Sequence, residues 1–248
     1  MREVDVAVRR LLRSLSRDPD LKTVLNKSPH RQMLRKVRLA LEKEASTPPL
    51  PCPNVIRISE YPLGSVMGPV FEAHRSYAVT SGTRVPREGD ARRYAFVLSL
   101  LTPSDSFMDI GIGSGAFVNA VYSTGMMGRV SGMDRNRRSD FYQIHKWQVW
   151  QHRLQEPVRD ELKADVVTCM ECIEHIPDPD FSLAVENLKL LANKRLIVTV
   201  PFMEYPLAKF HHQRFDLERL HQLFPGATLT LLAKSKALPW VLVDWNKR

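Results

Sequence analysis

The chain has 248 residues, 44% hydrophobic and 25% charged, with 36 Lys and Arg against 27 Asp and Glu for a formal charge of +9. At ~150 residues per domain this is one large domain, or one domain with an appendage, and the composition excludes wholesale disorder and fibrous repeats. No run approaches the ~20 apolar residues of a membrane helix, the start is too polar for a signal peptide, and three cysteines do not make a secreted disulfide scaffold. A reduced, cytoplasmic protein is the expectation.

Residues 1–50 carry twelve Lys or Arg and six Asp or Glu, so two thirds of the positive excess lies in the first fifth of the chain. Val8, Leu11, Leu12 and Leu15, then Met33, Leu34, Val37 and Leu41, form two apolar stripes at helical spacing, parted by Asp18-Pro19-Asp20. The run Thr47 to Pro53 contains four prolines and reads as an extended linker. We therefore divide the chain into a basic helical segment with linker (1–53), a loop-rich lid over the substrate (54–89) and a regular domain (90–248).

Asp90 is placed to cap a helix that Pro103 ends. Short apolar runs then alternate with helical patterns: strands at Phe107 to Ile110, Val130 to Met133, Asp165 to Met170 and Leu196 to Val200, helices at Ala116 to Thr124, Phe141 to Gln151 and Phe181 to Leu191. Such alternation predicts an α/β, doubly wound, mostly parallel sheet with helices on both faces. A helix from Leu217 to Leu223 and two strand-like runs, Thr228 to Ala233 and Leu238 to Asp244, predict an antiparallel hairpin closing it.

The most informative segment is Asp109-Ile110-Gly111-Ile112-Gly113-Ser114-Gly115, a strand running into alternating glycines and a helix. Gly111 permits a tight turn, Gly113 lets backbone approach a ligand, and the helix offers free N–H groups. Nineteen residues past Gly115, Asp134 ends the next strand, where a carboxylate can take both hydroxyls of a ribose. This much also fits a dinucleotide site. Asp109, however, suits a cationic amine and would repel a pyrophosphate.

These segments, with Ala164 to Asp180, resemble the class I S-adenosylmethionine-dependent methyltransferases, whose Rossmann-like core has seven strands; the likeness spans about residues 90–245. It implies S-adenosylmethionine as cofactor, with Asp109 meeting the methionine amine through water, Gly111, Gly113 and Gly115 lining the amino-acid part, Asp134 on the ribose, Met133 or Arg135 beside the adenine and Met170 beside the sulfonium. Glu156 is the nearest acidic candidate for the adenine amine.

Methyl transfer from a sulfonium needs an aligned nucleophile and, for a hydroxyl, a base, for which His175 is the candidate. If a helical turn starts after Met170, then Glu171, Glu174 and His175 share a face at i, i+3 and i+4, and His211 or its neighbour His212 adds a further ligand. This pattern is similar to small-RNA 3′-end 2′-O-methyltransferases and to quinone-type O-methyltransferases, and implies magnesium (Mg2+) as a second cofactor. Cys169 and Cys172 are spaced as a metal or redox pair without a second pair to complete a zinc site.

The position after the fourth core strand, Met170-Glu171-Cys172-Ile173, lacks the Asn/Asp-Pro-Pro-aromatic stretch of nucleic-acid amino methyltransferases, and Pro51-Cys52 lies outside the domain that a C5-type nucleophile would occupy. The expected substrate is therefore a small organic molecule bearing a hydroxyl, with Tyr61, Phe71, His74, Tyr77, Phe202, Tyr205 and Trp240 as candidate pocket walls. The alternatives are a metal-assisted RNA 2′-O-methyltransferase, whose basic helices grip a phosphate backbone, and an inactive cofactor-binding regulatory homologue.

Overall fold

The computed structural model describes residues 54–82, 87–136, 142–234 and 239–247. The expected basic helices and linker at 1–53 lie outside the described residues. In chain order the elements are β1 (Asn54–Arg57), α1 (Gly64–Ser81), α2 (Glu88–Ser99), β2 (Ser104–Ile110), α3 (Ala116–Thr124), β3 (Met127–Asp134), β4 (Gln148–Gln151), β5 (Ala164–Met170), α4 (Phe181–Leu191), β6 (Ala192–Pro201), α5 (Leu217–Leu223), β7 (Thr228–Ala233) and β8 (Trp240–Asn246), with single 3-10 turns at Ile58–Glu60, Asp160–Leu162 and Ile173–His175.

One sheet takes the order β1-β7-β8-β6-β5-β2-β3-β4. Among its described strands β8 alone is reversed, pairing antiparallel with β6 and β7. All seven residues of β5 are buried, as are Phe107 to Ile110 of β2 and Leu196 to Pro201 of β6, the apolar runs that a doubly covered parallel sheet demands. Alternate residues feed opposite faces. Met108, Ile110, Val167, Cys169, Leu196, Val198 and Val200 pack with α4 and α5 residues. Phe107, Val130, Val166, Met170 and Ile197 pack with Phe96 and Val97 of α2 and Phe117, Val118 and Val121 of α3. The sheet is therefore doubly wound, and the chain turns opposite ways from β2 and β5, which opens a crevice at their C-terminal ends.

Four expectations change. The segment read as a loop-rich lid forms an eighth, edge strand, β1, parallel to β7, and the 18-residue helix α1. Gly64, Gly68 and Pro69 in its first two turns masked the buried stripe Met67, Val70, Phe71, His74 and Ala78, whose first three residues pack against Ala91, Ala95, Ala116 and Ala120. Asp90 lies in the first turn of α2 rather than capping it; Arg87 is the N-cap residue. Where a helix was expected from Phe141 to Gln151, the described residues from Tyr142 on form an irregular stretch ending in β4, parallel to β3. Asn119 causes this: its Oδ1 accepts from Ile144 N (3.1 Å) and Trp147 Nε1 (2.8 Å), and its Nδ2 donates to the Tyr142 carbonyl (2.7 Å). The bonds to Ile144 N and the Tyr142 carbonyl claim backbone groups a helix would have used. Fourth, the turn after Met170 is a 3-10 turn that begins at Ile173, so Glu171 stands outside it at φ 53.

Candidate active site

The glycine turn closes the crevice from the β2 side. Gly111 N donates to the Met133 carbonyl (2.8 Å), carrying the β2–β3 ladder one step past the strand, and Gly115 N donates to the Ile112 carbonyl (2.8 Å). Gly113 has φ 54 and a Cβ there would meet nothing nearer than the Gly111 carbonyl at 3.9 Å, so the space in front of it is open to a ligand. Gly115, at φ 81, lacks that freedom: a Cβ would sit 3.1 Å from the Tyr142 carbonyl and 3.3 Å from Trp147 Cζ2. The stretch from Tyr142 to Trp147 thus folds over the turn, held by Asn119, whose Nδ2 also lies 2.9 Å from His74 Nε2 of α1. Sequence reading missed Asn119, although a lone amide in the apolar run Ala116 to Val121 was its signal.

Asp134 ends β3 at the crevice, largely buried, with Oδ1 accepting from Asn136 N (3.0 Å). Arg135 beside it is exposed, Met133 is buried in the core, and Met170 ends β5 within the α2-side core. His152 follows β4, donates its backbone N–H to the Asp134 carbonyl and places Nδ1 2.9 Å from Glu156 Oε2. Glu156 is thereby tied close to the Asp134 strand end.

Asp109 is buried and accepts from Thr168 Oγ1 at 2.6 Å. Burial pushes its acid up to about 7 against the Thr168 hydrogen bond, and Asp134 adds to the push. The folded protein therefore holds this proton more tightly than the unfolded chain, and the contribution of Asp109 to stability falls as pH rises from about 4 to about 7. Asp109→Asn is expected to raise the melting temperature of ligand-free protein at pH 8 while weakening S-adenosylhomocysteine binding. Thermal unfolding at pH 5 and 8, with and without ligand, reads both; a variant less stable than wild type at pH 8 would contradict the assignment.

Three further groups converge beyond β5. One ligand atom each from Glu174, His175 and His211 lies within 4.8 Å of the others, and this is the group of that kind found among the described residues. His175 Nδ1 faces the Phe210 carbonyl at 2.9 Å and must donate to it, which leaves Nε2 as the free lone pair. His211 Nδ1 lies 2.6 Å from Glu204 Oε2, the arrangement in which a second carboxylate orients an imidazole for an ion. Burial, with His211, Arg135 and His212 nearby, lowers the His175 pKa against the pull of the Phe210 carbonyl. Glu174 is fully buried, and neither carboxylate oxygen has a hydrogen-bond partner. Burial first, and the Glu171 charge second, push its acid up to about 9. Its backbone carbonyl accepts from His212 N and Gln213 N, which pins the 202–216 loop carrying His211 against the turn. Glu204 was missed in the sequence because it and His211 both lie in a loop, where no helical or strand period relates them.

Glu171 does not join this group. Its carboxylate accepts from Trp240 Nε1 (2.5 Å) and lies 3.1 Å from Arg93 Nη1. The left-handed backbone at Glu171 turns it away from the face on which Glu174 and His175 lie. The two cysteines stay apart from the group as well; both are free thiols, and Cys169, buried in the core, hydrogen-bonds with Cys172.

The proposed pocket walls do not line one space. Phe71 is core, Tyr77 stacks on Tyr142 at 4.3 Å, Tyr61 bonds Ser99, Phe202 packs on the α4-side core, and Tyr205 is 78% exposed. A shallow polar cavity of about 420 Å³, lined by residues that include Ser104, Asp105, Lys194, Arg195 and Asn246, lies at the N-terminal edge of the parallel strands, the end of the sheet away from the glycine turn. Its ions are mutually paired, Lys194 with Asp165 and Arg195 with Asp244.

A doubly wound sheet with a glycine turn, a ribose-type carboxylate on the next strand and a reversed last strand defines the class I methyltransferase architecture. The chain belongs to the methyltransferase-domain family, whose model matches residues 83–235, and is an S-adenosylmethionine-dependent methyltransferase. Among solved structures, a SAM-dependent methyltransferase from Archaeoglobus fulgidus is similar at TM-score 0.53 and 13% identity, over 69% of this chain and 99% of that one. A 1,6-didemethyltoxoflavin-N1-methyltransferase from Burkholderia thailandensis, with bound 1,6-didemethyltoxoflavin and S-adenosylhomocysteine, gives TM-score 0.53 and 16% identity over 76% and 92%. The small RNA methyltransferase HEN1 gives 0.50 and 15% over 64% of this chain and 25% of that one. At such identities the likeness is one of fold. No protein of curated function matches the chain in sequence. Among the described residues no helix is long and apolar enough to cross a membrane.

Proposed function

We propose that the chain methylates a hydroxyl that has a neighbouring oxygen donor, with S-adenosylmethionine in the crevice between β2 and β5 and a divalent ion held by Glu174, His175 and His211. The observation that carries this reading is the buried Glu174 carboxylate with two unpartnered oxygens, facing two imidazoles whose Nδ1 atoms are already engaged. A carboxylate with two imidazoles suits manganese better than magnesium, whose usual ligands are all oxygen. Such an ion, when bound, lowers the pKa of a coordinated hydroxyl. Glu204 and the Phe210 carbonyl fix the two rings, Gly113 leaves room for the methionine part, Asp134 takes the ribose, and Asp109 meets the amine. Without an ion, His175 Nε2 is the base. Arg135 rims the adenine side, Met170 backs the sulfonium, and α1 closes over the acceptor.

The first acceptor class is a small organic diol. A second, the terminal ribose of an RNA, is favoured by the loop that carries His211: Tyr205 and Phe210 are 78% and 68% exposed, with Arg214 over the first ring at 4.7 Å and Lys209 over the second at 5.4 Å. Exposed rings interleaved with cations are what single-stranded nucleic acid stacks on. Methyl transfer from labelled S-adenosylmethionine to a catechol and to a short RNA, intact or with its terminal diol oxidised by periodate, separates the two. EDTA should abolish transfer and magnesium or manganese restore it; full activity in EDTA removes the ion from the reading. RNA binding that weakens steeply with salt and is lost on deleting residues 1–45 would select the second acceptor.

A further inference from the structure

Lys234 follows the last residue of β7, is half-buried, and places Nζ 3.2 Å from the centre of the Trp240 ring. A surface lysine ordinarily extends its ammonium into water; this one is folded back on a ring that is 6% exposed. Three carboxylates are near enough to attract it, Glu171, Asp90 and Glu204, and each is engaged elsewhere. Glu171 binds Arg93 and Trp240, Asp90 lies against Arg93, and Glu204 orients His211. Among the described residues no carboxylate forms an ion pair with Lys234, so its contact is the ring face and its N–H donors remain for a ligand. Burial pulls the Lys234 pKa down to about 8 against the attraction of Glu171, and Arg93 adds to the fall. The protein's own anions therefore do not offset the removal of this charge from water.

Its place in the fold says what kind of ligand. β7 and β6 both run antiparallel to β8, and β5 runs parallel to β6, so Lys234 stands at the same C-terminal edge of the sheet as Pro201 and Met170. In the order β7-β8-β6-β5-β2-β3 it lies on the side of β5 away from the glycine turn and Asp134, the groups given to the cofactor. Glu204, whose charge reaches Lys234, is the carboxylate that orients His211, so ammonium and ion group border the acceptor side together. We propose that Lys234, seated on Trp240, binds an oxyanion carried by the acceptor, a carboxylate or a phosphate, so that the substrate is an acidic diol and not a neutral one. A compact ammonium suits either oxyanion as a point charge. The inference rests on the reading of this site as one that methylates a hydroxyl with a neighbouring oxygen donor, and it narrows that class by charge. Glu171 gains a part in it: sequence spacing offers it to a metal, whereas the fold uses its carboxylate to fix the indole under Lys234.

The experiment measures by calorimetry the affinity of the full chain, with S-adenosylhomocysteine and manganese present, for two pairs of diols: 3,4-dihydroxybenzoate against catechol, and adenosine 5′-monophosphate against adenosine. In at least one pair wild-type protein should prefer the acidic member by at least about tenfold. A preference in the first pair identifies a carboxylate, in the second a phosphate. Lys234→Met should lose it, the acidic ligand weakening about 10- to 100-fold while the neutral one changes by less than about threefold. Lys234→Arg, which keeps the charge, should retain the preference. Affinity for S-adenosylhomocysteine should stay within about threefold of wild type in both variants, which is the folding control and sets Lys234 apart from the cofactor side. No preference in either pair, a preference that survives Lys234→Met, or equal losses for acidic and neutral members would overturn the assignment and leave the diol reading standing. Wild-type protein that binds S-adenosylhomocysteine and none of the four diols would overturn the diol reading and Lys234 with it.

Discussion

Glu174→Gln is expected to abolish ion-dependent turnover and to weaken manganese binding at least about 100-fold, a loss no smaller than that seen for groups that merely support metal ligands. The substitution changes almost nothing else. In the ion-free protein the Glu174 acid sits at about 9, so near neutral pH it is held as the neutral carboxyl, with which glutamine is nearly isosteric. No hydrogen bond of the carboxylate is lost, because none is made. Stability of the ion-free protein should therefore move by less than about 1 kcal/mol. Glu171→Gln is the counterpart: its carboxylate serves Arg93 and Trp240, so manganese affinity should stay within about threefold of wild type. Manganese binding followed by electron paramagnetic resonance, with denaturant unfolding alongside, reads both variants. If Glu171→Gln lost the ion and Glu174→Gln kept it, the ligand set drawn from this geometry would be wrong.

That contrast shows where sequence reading reached and where it stopped. The pattern Glu171, Glu174, His175 and His211 brought four ligands forward together, and three of them converge. The fourth was assigned on the assumption of one continuous helical turn. Backbone torsion at a single residue, φ 53 at Glu171, undoes that assumption, and no local propensity announces a left-handed glutamate. The strands were legible because central parallel strands are apolar on both faces: β5 reads Ala-Asp-Val-Val-Thr-Cys-Met and is buried throughout. β4 was not, since its burial is partial and its place is set by Asn119, some thirty residues upstream, through bonds to Tyr142, Ile144 and Trp147. α1 was hidden by glycine and proline within its opening turns, residues whose cost in a helix is outweighed here by packing against the alanines of α2 and α3. Arg93 was unreadable for another reason. An arginine in the first turns of a helix is ordinarily a solvated residue, and only the aromatic and acidic partners that tertiary structure brings to it make it a buried one.

The cofactor side of the crevice is expected to depend most on Asp134. Its carboxylate ends β3 beside the glycine turn and spends one interaction of Oδ1 on Asn136 N, leaving Oδ2 and the remaining lone pair for two hydroxyls. Two charge-assisted hydrogen bonds at about 1.5–3 kcal/mol each make Asp134→Ala a loss of at least about 100-fold in S-adenosylhomocysteine affinity. Its strand gives the side chain no other structural duty: Met127, Val130, Met133 and Ser131 are among the buried contacts of β3, the last through its hydroxyl bond to the Phe107 carbonyl at 2.9 Å. Folding should accordingly survive the substitution, and ligand-free melting temperature is the control. The sharper readout is a cycle with 2′-deoxy-S-adenosylhomocysteine. Wild-type protein should discriminate against the deoxy ligand, and Asp134→Ala should bind both ligands equally, because the group that tells them apart is gone. Discrimination that persists in Asp134→Ala would mean that another side chain holds the ribose, and would move the sugar away from the end of β3.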